Sequence, residues 1–207
     1  MTPGAPMPCA SLSVEASDPE SVWARVDAEH AAVQRKTFDT LRPAFVRWVD
    51  AARQTLDAKG RIFFFGNGGS AADAQHLATE LTVRYARNRP AFAALALTTD
   101  SSALTAIGND LGFDRLFSRQ IEALGRPGDL AVALSTSGTS PNILEALRTA
   151  RVQGLKTVGL SGKGGGAMVP LCDIALIVPS DTTARIQEMH ITLGHMFCEA
   201  IEMQKSA

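Results

Sequence analysis

From residue 61 onward, short runs of apolar, β-branched and aromatic residues alternate with longer stretches in which apolar residues recur every three or four positions. The short runs, bounded by glycine or polar turns, predict strands over 62–65, 92–97, 130–134, 157–160 and 174–178. The longer stretches predict helices over 71–85, 101–107, 113–124, 141–153 and 183–204. Regular alternation of this kind implies an α/β fold, a doubly wound, five-stranded parallel sheet flanked by helices. Gly60, Gly128-Asp129 and Gly154 fall at helix-to-strand joints, where a left-handed residue is wanted.

Upstream of the first strand the pattern is helical. Ser17-Asp18-Pro19-Glu20 combines capping-box spacing with an early proline, and Val22, Val26, Ala32, Val33 and Leu41 follow as a loose apolar stripe. A second stripe runs after Pro43 through Phe45, Val46, Val49, Ala52 and Leu56 to Gly60. Two helices are therefore expected here, 17–59 forming an N-terminal helical extension to a core over 60–207 within one domain, 17–207. An apolar stripe on such an appendage packs against another subunit in many proteins. Residues 1–16, with Pro3, Pro6 and Pro8 among small residues, predict a disordered tail.

Ligands of open parallel sheets sit outside the carboxyl ends of the strands, so the residues that follow each strand carry the chemistry. After the first comes Gly66-Asn67-Gly68-Gly69-Ser70, where glycines admit a close backbone approach and Ser70 opens a helix whose free N–H groups attract anions. After the third comes Ser135-Thr136-Ser137-Gly138-Thr139-Ser140, five hydroxyls around one glycine, with Pro141 suited to the first turn of the next helix. A capped turn needs only two hydroxyls; five suit a phosphate. Neither segment completes a Walker loop or G-x-G-x-x-G, so nucleotide binding has little support. His76 and Glu80, four residues apart, share a helix face and can grip one ion or one substrate, although such pairs also occupy solvated faces. Gln187 and His195 on the last helix raise the same question.

Composition narrows the field. The 207 residues are 45% hydrophobic and 20% charged, with a net charge of −1, which gives no general electrostatic grip on nucleic acid. Any anion site must be local. Cys9, Cys172 and Cys198 match no zinc-finger spacing, and an odd number suits reduced, structural thiols in a cytoplasmic protein. No secretory h-region and no run of about 18 apolar residues is present, so no membrane partner is expected. Gly164 to Gly166 is the one low-complexity tract outside the tail.

Taken in order, GNGGSAADAQH-x3-E-L-T-x-R-Y at 66–85, G-N-D-x-G-F at 108–113, STSGTS at 135–140 and R-I-Q-E-x-H-x4-H at 185–195 resemble the sedoheptulose 7-phosphate isomerase (phosphoheptose isomerase) family of sugar isomerase, or SIS, domains. The resemblance covers about nine tenths of the chain. It implies an SIS-type fold, a cytoplasmic homotetramer, a phosphorylated seven-carbon sugar as substrate, and production of the heptose precursor of bacterial lipopolysaccharide. It implies one Zn2+ held by His76, Glu80, Gln187 and His195. It implies substrate contacts from Asn67, Gly68, Gly69, Ser70, Glu80, Asn109, Asp110, Ser135, Thr136, Ser137, Ser140 and Gln187. Glu80 would be the base at carbon and His195 the acid/base at oxygen. Some members carry an acidic residue where this chain has Ala184, so any contact from that side chain is missing here.

Two histidines and a carboxylate suit zinc, whereas a glutamine oxygen leaves the metal's identity open. Gln187 and His195 are also about 12 Å apart along an ideal helix, so sharing one ion needs long reach, a late helix start or different subunits. Arg84, four residues past Glu80, suits an intrahelical ion pair as well as a catalytic role. The alternative function is a non-catalytic phosphosugar-binding or DnaA initiator-associating SIS protein. His195 discriminates, because resemblance to the initiator-associating type implies Asn at that site.

Overall fold

The computed structural model describes residues 18–203. The expected tail at 1–16, Cys9 and the last position of the predicted 183–204 helix lie outside the described residues. In chain order the elements are α1 (Pro19–Asp57), β1 (Ile62–Gly66), α2 (Gly69–Thr82), β2 (Ala94–Ala96), α3 (Ser101–Asp110), α4 (Ser118–Leu124), β3 (Leu130–Ser135), α5 (Pro141–Val152), β4 (Lys156–Ser161), β5 (Ile174–Ile177) and α6 (Thr183–Glu202).

All strand pairs are parallel, in the order β2-β1-β3-β4-β5. Every residue of β1 and β3 is buried, which is why these strands read as unbroken apolar runs rather than alternating ones. Period-two geometry divides them between two cores. Ile62, Phe64, Leu130, Val132 and Leu134 pack with α1, α2 and α6 residues, while Phe63, Phe65, Ala131 and Ala133 pack with α3, α4 and α5. The chain leaves β1 toward β2 on one side and returns to β3 on the other. The crevice between the carboxyl ends of β1 and β3 is therefore the switch point where ligands bind in such sheets.

Two helices were expected before β1; there is one, of 39 residues, with Pro43 inside it. An interior proline costs about 3 kcal/mol through its missing N–H and its clash with the preceding turn. The buried face continues straight across it: Thr37, Leu41, Trp48, Val49, Ala52 and Thr55 are all buried. At about 1.5–3 kcal/mol per fully buried large apolar side chain, that face outweighs the proline. Trp48 stacks on Phe197 of α6 with ring centroids 4.1 Å apart and planes 3° from parallel.

Smaller differences have local causes. The strand expected at 92–97 shrinks to β2, an edge strand paired only with β1. The helix expected at 113–124 breaks into a 3₁₀ turn, Phe113–Arg115, and α4. After α1 the left-handed position is Lys59, φ 61°, and not Gly60; a Cβ on Gly60 would stand 3.0 Å from the Thr55 carbonyl oxygen and 3.2 Å from that of Gly128. Gly128 and Gly154 do take positive φ, 89° and 77°. Gly164 to Gly166, with φ of 75°, 84° and 54°, lie in a 3₁₀ segment, Lys163–Leu171, that links β4 to β5. Among the described residues no helix is long and apolar enough to cross a membrane.

Candidate active site

At the switch point, Asn67, Ser70, Leu134, Ser135, Thr136, Ser137, Ser140 and Gln187 line a cavity of about 80 Å³. Three helices, α2, α5 and α6, start at this edge of the sheet. Their N-terminal ends supply the positive dipole pole and free N–H groups that favour an anion, and no lysine or arginine lines the cavity. Small-molecule pockets usually run to about 300–1,000 Å³, so this cavity admits one end of a ligand, the size of a phosphate. The walls are fixed by backbone and amide pairing. Asn67 Nδ2 donates to Asn142 Oδ1 at 2.9 Å and Asn142 Nδ2 donates to Asn67 Oδ1 at 2.8 Å, which locks the loop after β1 to the start of α5. A Cβ on Gly69 would stand 2.5 Å from Gln187 Nε2, so this glycine lets Gln187 lie against the start of α2.

The serine loop is held from behind by the segment between β4 and β5. Ser161 Oγ donates to the Ser135 carbonyl at 2.7 Å, the Gly162 N–H to the Thr136 carbonyl at 3.2 Å, and the Met168 N–H to the Gly138 carbonyl at 3.0 Å. A Cβ on Gly138 would collide with the Gly165 carbonyl, and one on Gly166 would lie 2.7 Å from the Ser137 carbonyl oxygen. The Gly164–Gly166 tract is thus a surface the loop is moulded against.

Both α2 and α6 run from this cavity toward a second cluster. His76 Nε2 lies 2.8 Å from His195 Nε2 and 3.5 Å from Glu80 Oε1. One imidazole nitrogen donates to the other, so one bears the proton and the other does not. Gly194 permits the approach: a Cβ there would stand 2.6 Å from Leu77 Cδ2, and these two residues precede and follow the paired histidines. Ser70 and His76 are about 9 Å apart along α2, comparable with the span of an extended sugar phosphate. An anion held at one end would present its far carbons to the two histidines and Glu80.

Several expected site residues are placed elsewhere. Gln187 lies at the anion end, about two helical turns from His195, because α6 is already regular at Thr183; the late helix start that would have brought the two together is ruled out. Asn109 and Asp110 end α3, both exposed, with Asn109 Nδ2 donating to Asp110 Oδ1 at 2.7 Å. Arg84 is beyond the end of α2 and donates to Asn88 Oδ1 at 2.7 Å, which removes the intrahelical pair with Glu80. Among the described residues no group of three or more His, Cys, Asp or Glu side chains is arranged so as to hold a metal ion. The donor chemistry of His76, Glu80 and His195 nevertheless suits a divalent ion that prefers imidazole nitrogen with one carboxylate. Burial pushes the Cys172 and Cys198 thiols up to about 12, so neither is a nucleophile at neutral pH.

Residues 27–162 match the SIS domain family. The phosphoheptose isomerase of Paramagnetospirillum magneticum is 59% identical over 175 residues, which cover 84% of this chain and 91% of that protein. The chain is a member of the phosphoheptose isomerase family. Phosphoheptose isomerase GmhA from Neisseria gonorrhoeae has a similar structure, with TM-score 0.86, 43% identity, and coverage of 90% of this chain and 100% of the other. A phosphoheptose isomerase from Francisella tularensis gives TM-score 0.88 at 34% identity, covering 91% and 100%.

Some parts of this phosphoheptose isomerase-like site carry no sequence signal. Asn142 looks like an ordinary first-turn residue of α5; only the fold pairs it with Asn67. Tyr85 closes the motif at 66–85, but nothing in its position there signals that its ring centroid lies 5.9 Å from that of His195. Glu202 and Arg89, whose side chains are 3% and 8% exposed, are 113 positions apart in sequence and meet only in space.

Proposed function

We propose that this chain converts sedoheptulose 7-phosphate into D-glycero-D-manno-heptose 7-phosphate, a precursor of lipopolysaccharide heptose, in the cytoplasm. The observation that carries the reading is the His76–Glu80–His195 cluster, one sugar-phosphate length along α2 from a cavity of hydroxyls and helix N-termini. Membership of the phosphoheptose isomerase family supports the same reading. A carbonyl moves between adjacent carbons through an ene-diol, which needs one base at carbon and one acid/base at oxygen. Glu80 removes the proton from C1 while His195 delivers one to the carbonyl oxygen at C2. His195 then takes the proton from the C1 oxygen, and Glu80 returns its proton to C2.

His76, Glu80 and His195 are the residues that would hold Zn2+. When bound, such an ion polarises the carbonyl and stabilises charge on the ene-diolate oxygens. Gln187 is assigned to the phosphate end of the substrate. The chain works as a homotetramer in this reading: Trp23 is 80% exposed on α1, and Leu111 and Phe113, beside Asn109 and Asp110, are 50% and 60% exposed. Contacts between copies would cover these side chains and bring Asn109 and Asp110 to a neighbour's site. Sedimentation analysis tests the assembly.

Proton NMR of the purified protein with sedoheptulose 7-phosphate, with and without added zinc, tests the activity. A new aldose signal is expected, stronger with zinc. Binding of the sugar without that signal, and without proton exchange from heavy water, would favour a phosphosugar-binding module instead.

A further inference from the structure

Beyond the cavity and the histidine pair, the segment after α2 is fastened to the last residue of α6. The Glu202 side chain is 3% exposed. Its Oε1 accepts from the Tyr85 N–H at 3.0 Å, and its Oε2 accepts from the N–H groups of Ala86 and Arg87 at 2.8 and 2.9 Å. The Arg89 side chain, 8% exposed, places Nε 3.3 Å from Glu202 Oε1. The same guanidinium reaches back to the final turn of α2, where Nη2 donates to the Glu80 carbonyl at 2.7 Å and Nη1 to the Leu81 carbonyl at 2.8 Å. Its central carbon stands 4.2 Å from the Phe92 ring centroid. Burial alone would raise the Glu202 carboxyl; the three N–H groups and Arg89 outweigh it and hold the carboxyl below its usual range.

An ion pair this buried is costly unless its partners are all satisfied, so a location that serves only to close a loop could be filled by apolar residues as well. What this pair joins is particular. Arg89 holds the backbone of Glu80 itself, and Glu202 belongs to the helix that carries His195. The segment between them presents Tyr85, whose ring is inclined 41° to the His195 imidazole, and His195 in turn meets His76 with ring centroids 5.0 Å apart. We propose that Glu202 and Arg89 are positioning residues that set the separation of Glu80 from His195 and, through Tyr85, the orientation of the His195 ring. Neither touches the substrate. The proposal rests on the roles given above to Glu80 and His195.

The test compares the full chain with Glu202→Gln, Arg89→Lys and Tyr85→Leu in steady-state kinetics, thermal melting and imidazole 1H–15N NMR. Misplacing reacting groups by 1 Å costs on the order of 10²-fold, so kcat should fall at least about tenfold in the first two variants. KM should stay within about threefold, because the phosphate cavity lies at the other ends of the two helices. Tyr85→Leu spares the ion pair. It should lower kcat, leave Tm nearly unchanged and shift the His195 ring resonances; it keeps the test decisive if Glu202→Gln does not fold. Unchanged kcat with a lowered Tm, or a raised KM with unchanged kcat, would overturn the proposal. Full activity in Glu80→Gln would instead remove the site assignment. The His195 resonances then decide separately, and an unmoved ring in Tyr85→Leu would count against the positioning role.

Discussion

Glu80 is the proposed base at carbon, and its surroundings make a clean substitution available. Its side chain is 20% exposed and its 3.5 Å contact is with His76, itself 45% exposed. A polar contact open to solvent to that extent contributes about 0–1 kcal/mol, so Glu80→Gln should leave the melting temperature close to that of the parent chain. Loss of the base should lower kcat by about 10²–10⁴. Circular dichroism melting and the NMR assay read the two effects separately, and turnover at the parent rate would refute the base assignment. The His76–Glu80 pair is legible from spacing alone because i and i+4 share a helix face whatever the fold. The partner of His76 is not, since His195 lies 119 positions away and only the packing of α2 on α6 selects it.

That packing is an affair of two elements and one missing methyl group. Ala at position 194 would gain about 1 kcal/mol of helix propensity, but its Cβ would stand 2.6 Å from a terminal carbon of Leu77, which is fully buried and has no room to withdraw. Overpacking of this kind costs about 1–3 kcal/mol, so Gly194→Ala should lower Tm and also kcat, because the displaced helices carry His76 and His195. A second element-level prediction concerns the serine loop. Gly166→Ala places a Cβ 2.7 Å from the Ser137 carbonyl oxygen, at a φ of 54° that side chains rarely adopt. Its expected signature is a KM raised about tenfold, with weaker competition by inorganic phosphate and a smaller change in kcat. Elements with an apolar run or a strong stripe were readable in the sequence. Those decided by tertiary packing were not: α1 continues through Pro43 because Leu41 and Trp48 share one buried face, and β2 is short because a single neighbour supports it.

At the scale of the whole molecule, the strand order explains why the motifs after β1 and β3 converge, a result that alternation of strands and helices implies only once the chain is known to reverse at β1. The same close packing has a consequence for acid stability. His190 of α6 is fully buried, and among the described residues neither ring nitrogen makes a well-formed hydrogen bond, the Ser161 backbone being only a weak partner. Burial pushes its pKa down from 6.5 to about 4, against a smaller opposing influence from the Ser161 backbone. The folded protein therefore holds His190 neutral while the unfolded chain begins to protonate it near pH 6.5. Between those values the unfolded state binds more protons, so stability rises with pH; the contribution is complete above about 6.5 and is lost as pH falls toward 4. At about 1.4 kcal/mol per unit, the difference amounts to roughly 3 kcal/mol. Glu202, held below the carboxylate range by its N–H donors and Arg89, adds a loss of the same sign at lower pH. Urea unfolding at a series of pH values should show stability declining from pH 7 to pH 4. In His190→Gln, or in His190→Leu if the glutamine variant folds poorly, the decline between pH 6.5 and 4 should flatten. An equal slope in parent and variant would place the proton uptake at another group.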